Sequence, residues 1–146
     1  MQDKGDFDLK DFLPYLLNLA AEEASDGFQT LYKDRYGMLR TEWRVLFHLG
    51  RYGDMTAKEI CDRARMHKTK ISRAVTKLEQ RRFVSRKEVE ADRRHAMLSV
   101  TEQGRAAYAD LCEFARHYDG QLVKEFTAKE EAILRRCLSR LAVIKG

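Results

Sequence analysis

Two short stretches of helical period, with room between them for only a tight turn, constrain this chain more than any other feature. In the first, Ala57, Ile60, Cys61 and Ala64 recur at i, i+3, i+4 and i+7, and in the second Ile71, Ala74, Val75 and Leu78 do the same. Each stretch therefore offers one apolar stripe, and two short helices can hide such stripes against each other. Thr56 opens the first with T-A-K-E, so its hydroxyl can cap the Glu59 amide while the Glu59 carboxylate reaches back to Thr56. Met55 and Ile60 stand where a hydrophobic staple would form. Arg65 to His67 leaves three or four residues between the helices, the connection expected of a helix-turn-helix.

The second helix then turns outward a line of hydroxyls, Thr69, Ser72 and Thr76, beside a line of cations, Lys70, Arg73 and Lys77, with Lys68 at its start and no acid before Glu79. These groups contact phosphates and the major-groove edges of bases. Beyond Leu78, FVSRKEV and HAMLSV read as two short strands around the charged turn EADRR, and a hairpin attached to the second helix is a wing. Residues 56 to 100 hold 13 Lys and Arg against 6 acids, more than the whole chain's net charge of +5, so the rest of the chain is slightly acidic. Positive charge concentrated in the head is the footprint of a nucleic-acid partner.

L-E-x-x-R-F-V at Leu78–Val84 and D-R-R-H-A-M-L-S-V-T at Asp92–Thr101 resemble the MarR family of winged-helix transcription regulators. The family pattern is close to D-x-R-x-x-x-L-x-L-T. Asp92, Arg94, Leu98 and Thr101 match it, and Val100 replaces one Leu. Arg82 departs from it, standing where the family usually has a glycine to end the recognition helix in a left-handed turn. The resemblance extends to E-W-R-V-L before the head and T-E-Q-G-R after it. It implies a mainly α (α+β) fold, a winged helix-turn-helix head on a helical dimerisation platform. It also implies sequence-specific binding to double-stranded DNA, with Arg86, Asp92, Arg93 and Arg94 of the hairpin joining the recognition helix. Wings of the family insert the arginine at position 94 into the minor groove, and Asp92 is suited to hold its guanidinium in a fixed orientation.

Eight Gly and a single Pro in a charged sequence that is 44% apolar favour a mostly helical protein of ordinary core size. One MarR-type domain over residues 1–146 is expected, with the head at 38–100 and helical regions at 1–37 and 101–146. Asp11 is expected to cap a first helix that carries Pro14 in its first turn and ends near Tyr36, where Gly37 breaks it. Thr41 is expected to cap TEWRVLFHLGRYG, with Trp43, Leu46, Phe47 and Leu49 or Gly50 on its buried side. Thr101 caps a long helix bearing Tyr108, Leu111, Ala115, Tyr118 and Leu122. Thr127 opens a last helix with Ile133, Leu134, Cys137, Leu138, Leu141 and Ile144 on one face. The terminal helices carry more apolar surface than a small head can cover, which suggests a partner chain. The resemblance makes that partner a second copy, and symmetric dimers read pseudo-palindromic operators.

The four histidines lie far apart, and no H-E-x-x-H or C-x-x-C gathers metal ligands, so neither metal nor cofactor is expected. No G-x-S-x-G or glycine-rich phosphate loop points to catalysis, and the chain reads as a binding protein and not an enzyme. Without a run of about 20 apolar residues or a signal peptide, a cytoplasmic location is expected. Small-molecule sensing is typical of the family resembled, with the pocket between platform and head. Tyr15, Tyr36, Trp43, Arg44 and His48 fall near that junction, although each also fits a core role. The reading is a repressor released by a small-molecule effector, with an aromatic one expected. The alternatives are a cysteine-based redox regulator and a nonspecific architectural DNA-binding protein. Some relatives sense peroxide through a first-helix cysteine, but Cys61, Cys112 and Cys137 sit elsewhere.

Overall fold

The computed structural model describes residues 5–88 and 96–144, which form two units, Met1–Cys112 and Glu113–Gly146. In chain order the helices are α1 (Leu13–Tyr36), α2 (Arg40–Tyr52), α3 (Ala57–Ala64), α4 (Lys68–Gln80), α5 (Glu102–Leu122) and α6 (Ala128–Leu141), and the strands β1 (Val84–Lys87) and β2 (Met97–Val100) lie between α4 and α5. The protein is mainly helical with a two-stranded wing.

Where each helix begins is decided by which group reaches the first free amides. Before α1 a single tight turn covers Leu9–Asp11, capped by Asp8, whose carboxylate accepts the Lys10 N–H at 3.0 Å. Asp11 is spent in that turn, so Phe12 and not Asp11 precedes α1, with Pro14 in the helix's first turn as expected. For α2 the helix starts two residues earlier than a cap at Thr41 implies. Leu39 is already extended, and its N–H donates to Glu42 Oε2 at 3.1 Å, so Arg40 is the first helical residue and Thr41 is not the cap. Thr56 caps α3 by accepting the Glu59 N–H at 3.2 Å, but Glu59 answers through the Thr56 hydroxyl. At α6 the reciprocal capping box of Thr127 and Glu130 is complete, at 3.1 and 2.9 Å.

Inside the first unit, α4 packs against α2 and α3. Ile71, Ala74, Val75 and Leu78 are all buried, as their spacing predicts, and join Ile60, Leu46, Leu49, Met38 and Leu111 in one core. The staple partners Met55 and Ile60 are both buried there, whereas Ala57 is exposed. On α2 the buried side is Glu42, Val45, Leu46 and Leu49, with Trp43 and Phe47 half-buried at its edge. The strands pair antiparallel, Val84 with Val100 through Lys87 with Met97. Met55 extends this pairing by exchanging backbone hydrogen bonds with Leu98 at 3.2 and 2.9 Å, which fastens the loop before α3 to the wing.

The first turn of α5 comes so close to the end of α4 that only glycine fits. A Cβ added at Gly104 would stand 2.0 Å from the Phe83 carbonyl oxygen. Arg82, the departure from the family pattern, adopts the left-handed turn itself at φ 65°. Its carbonyl accepts the Thr101 hydroxyl at 2.6 Å, and the Phe83 N–H closes back on the Leu78 carbonyl at 2.9 Å. The second unit contains the end of α5 and all of α6. No residue of α6 is buried, and Ile144 lies past its end.

Candidate nucleic-acid interface

The recognition surface follows from how α4 is held. His67 stands before it in extended backbone and accepts the Thr69 N–H through Nδ1 at 3.2 Å, while Arg65 turns left-handed at φ 53° to end α3. The three-residue link Arg65–His67 therefore sets α4 against α3 with its apolar stripe inward. Lys68, Thr69, Lys70, Ser72, Arg73, Thr76 and Lys77 are all exposed. They present one basic, hydroxyl-bearing surface. The Thr76 hydroxyl donates to the Ser72 carbonyl at 3.0 Å, which fixes its rotamer and leaves its lone pairs outward. On β1, Arg86 is paired with Glu79 of α4 at 3.0 Å, so this predicted DNA contact also ties the wing to the recognition helix. Asp92, Arg93 and Arg94 lie outside the described residues.

Behind this surface a polar network joins α1 to α4 and α5. The Tyr36 hydroxyl donates to Asp110, and Arg35 Nε approaches the same carboxylate at 3.0 Å. Arg81, just past α4, donates to the Tyr36 carbonyl. Burial first, and then the Asp110 carboxylate that holds its proton, raise the Tyr36 hydroxyl above its ordinary pKa of 10.0. Sequence reasoning missed this network because Tyr36 and Asp110 are distant in the chain. It missed buried Glu42 too, although an acid three residues after an extended apolar residue is the signal of a capping carboxylate.

The five residues expected to line an effector pocket are spread along α1 and α2. Trp43 and His48 belong to one chain of rings, Trp43 to Phe47 at 5.7 Å and Phe47 to His48 at 5.9 Å, with Phe28 and Tyr32 on the other side of Trp43. The His48 ring is oriented by a 2.6 Å hydrogen bond between Nδ1 and the Arg44 carbonyl. Tyr36 lies against Phe83 instead, and Tyr15 and the Arg44 side chain are exposed. Among the described residues no cluster of three His, Cys, Asp or Glu could hold a metal ion, and no helix is long and apolar enough to cross a membrane.

A tight two-helix turn with an exposed basic second helix, followed by an antiparallel wing, defines a winged helix-turn-helix DNA-binding protein. The family model described as the MarR family matches residues 36–95. A crystal structure of a MarR/EmrR family transcriptional regulator from Acinetobacter sp. ADP1 is 26% identical and superposes with a TM-score of 0.80, covering 93% of this chain and 96% of that one. Bordetella bronchiseptica BpsR, at 18% identity, shares the fold with a TM-score of 0.85 over 97% of this chain and all of its own, 100%. An uncharacterised helix-turn-helix-type transcriptional regulator of Bacillus subtilis, YwoH, is 24% identical over 96 residues, 66% of this chain and 69% of the relative. Over residues 36–95 the chain matches the MarR family, and its fold is that of MarR family helix-turn-helix transcriptional regulators. The similarity is to non-enzymatic DNA-binding regulators, a family that implies operator binding and dimerisation.

Proposed function

We propose that this protein is a homodimeric repressor that reads a pseudo-palindromic operator with α4 of each copy and is released by a small aromatic effector. The observation that carries the DNA half is the division of α4. Its four apolar positions are wholly buried and its seven polar positions from Lys68 to Lys77 are exposed. Lys68, Thr69, Lys70, Ser72, Arg73, Thr76 and Lys77 are assigned to the DNA, together with Arg86. From the sequence pattern, Asp92, Arg93 and Arg94 complete the contact, Arg94 in the minor groove with Asp92 orienting it.

The effector half is supported by BpsR, whose DNA binding is regulated by 6-hydroxynicotinic acid. In this chain we assign such a ligand to the surroundings of Trp43 and His48, with Tyr15, Tyr36 and Arg44 as further contacts. Of the three free thiols on which the redox alternative would rest, that of Cys61 is raised above its ordinary pKa of 9.0, chiefly by burial and then by Asp62, which disfavours the reactive thiolate at that position.

The test is selection of bound duplexes from a random pool, followed by footprinting. Two inverted half-sites about 10 bp apart are expected. Recovery of no consensus would leave the architectural reading in its place. Aromatic acids, 6-hydroxynicotinic acid among them, should then be titrated against the selected duplex. Release by such an acid, lost in Trp43→Ala, is expected, and release by peroxide would favour the redox alternative.

A further inference from the structure

A groove of about 540 Å³ separates the start of α2 from the outward side of α4. It is lined by Leu39, Thr41 and Glu42 on one wall and by residues of α4 including Lys70, Arg73 and Lys77 on the other. Its size is that of a small-molecule site. Two features of its walls oppose each other. Glu42 is only 2% exposed; one carboxylate oxygen accepts the Leu39 N–H at 3.1 Å, and the other, Oε1, is buried with no hydrogen-bond partner among the described residues. Facing α2 are three cations that form no ion pair among the described residues.

We propose that this groove binds a small zwitterion, its ammonium group on Glu42 Oε1 and its acid group shared by Lys70, Arg73 and Lys77. A buried carboxylate oxygen without a donor is a standing electrostatic deficit, and a charged N–H donor is what best removes it. A simple organic anion would satisfy the cations and leave Oε1 bare beside a second negative charge. A simple amine would satisfy Oε1 and be repelled by the opposite wall. Only a molecule carrying both charges meets both walls. Since Lys70, Arg73 and Lys77 are then occupied, the ligand and DNA exclude each other; this last clause rests on the reading of α4 as the DNA-contacting helix.

The test is calorimetric titration of the full, DNA-free chain with 4-(aminomethyl)benzoate, γ-aminobutyrate and β-alanine, which differ in charge separation, and with benzoate and benzylamine as the matched halves. At least one zwitterion should bind saturably, with each half at least about tenfold weaker. Glu42→Gln keeps an oxygen acceptor for the Leu39 N–H, so α2 should still form, and it should lose about tenfold in affinity for the zwitterion. Lys77→Ala, a surface change that leaves the core intact, should lose affinity as well and keeps the proposal testable if the Gln variant does not fold. Failure of all three zwitterions to bind, benzoate binding as tightly as they do, or unchanged affinity in either variant would overturn the site. Adding the selected operator should displace the ligand, and a ligand retained on DNA-bound protein would overturn its placement. A chain that takes up zwitterion with this pattern and binds no DNA would count against the DNA reading alone.

Discussion

Arg73 and Lys77 are one turn apart on the same exposed side of α4, yet their chemistry assigns them different tasks. A guanidinium can make a bidentate contact to a guanine edge, whereas an ammonium near a phosphate acts as a point charge. Arg73→Ala should therefore relax preference at one or two positions of each half-site, at about 1–3 kcal/mol per base contact. Lys77→Ala should weaken all sequences alike and lower the salt slope by about 1. Titrations on operator and scrambled duplex over a salt series separate the two, and equal losses on both duplexes for both variants would contradict the assignment. Tyr36 tests the network behind α4 instead. Its raised pKa means that the folded state holds the phenolic proton longer than the unfolded chain does. That contribution is complete below the ordinary value of 10.0 and is lost as pH rises through the folded value. Tyr36→Phe should cost about 1.5–3 kcal/mol at neutral pH, the range for a hydrogen bond to a charged group. The gap from the native protein should narrow in urea melts above pH 10, and a gap that widens there would contradict the assignment.

At the scale of elements, the start of α4 and its junction with α5 carry the two sharpest expectations. His67 is an unusual cap, since a ring nitrogen accepts the Thr69 N–H where Ser or Asp commonly does. His67→Ala should cost about 0.5–2 kcal/mol and His67→Ser should recover most of it, both read from denaturant midpoints. Gly104→Ala should cost about 1–3 kcal/mol, because the added methyl meets the backbone carbonyl of Phe83 and not a side chain that can swing aside. A midpoint unchanged by that substitution would mean that α5 and the wing can move apart. The same elements explain what was legible in the sequence. The stripes of α3 and α4 could be read because helical periodicity is local, and so could the caps at Thr56, Thr101 and Thr127. The caps expected at Asp11 and Thr41 fail because a nearby group competes for the same amides, the Leu9–Asp11 turn in one case and Glu42 in the other. Met55 with Leu98, Tyr36 with Asp110, and Arg81 with Tyr36 are long-range contacts that no local pattern announces. Of the DNA-contacting residues, those on α4 were legible for the same periodic reason. Glu42 was not, since an acid beside a basic surface reads as a solvated charge until its burial is known.

For the whole molecule, the decisive fact is apolar surface left uncovered. Ile133, Leu134, Leu138 and Leu141 of α6 are 38–57% exposed, and on α1 and just before it Leu9, Phe12, Leu13, Leu16 and Leu19 are exposed too. A helix with its apolar side open to water has no reason to keep that side in a monomer. Burying one Leu fully is worth about 1.5–3 kcal/mol, and in a two-fold dimer each position is buried twice, so a handful of such side chains outweighs the cost of association. The chain should therefore sediment as a dimer at micromolar concentration. Leu134→Lys combined with Leu138→Lys should give a monomer that keeps its helicity, because neither residue belongs to the core of the first unit. Operator binding should fall much further than any single phosphate contact explains, since one head reaches only one half-site and two half-sites stand roughly 34 Å apart. On a duplex carrying a single half-site, native protein and double variant should bind alike when compared per head. Sedimentation equilibrium and these two duplexes together decide the matter. A native monomer, or a double variant that binds the full operator as tightly as the native protein, would show that the open faces of α1 and α6 serve something other than dimerisation.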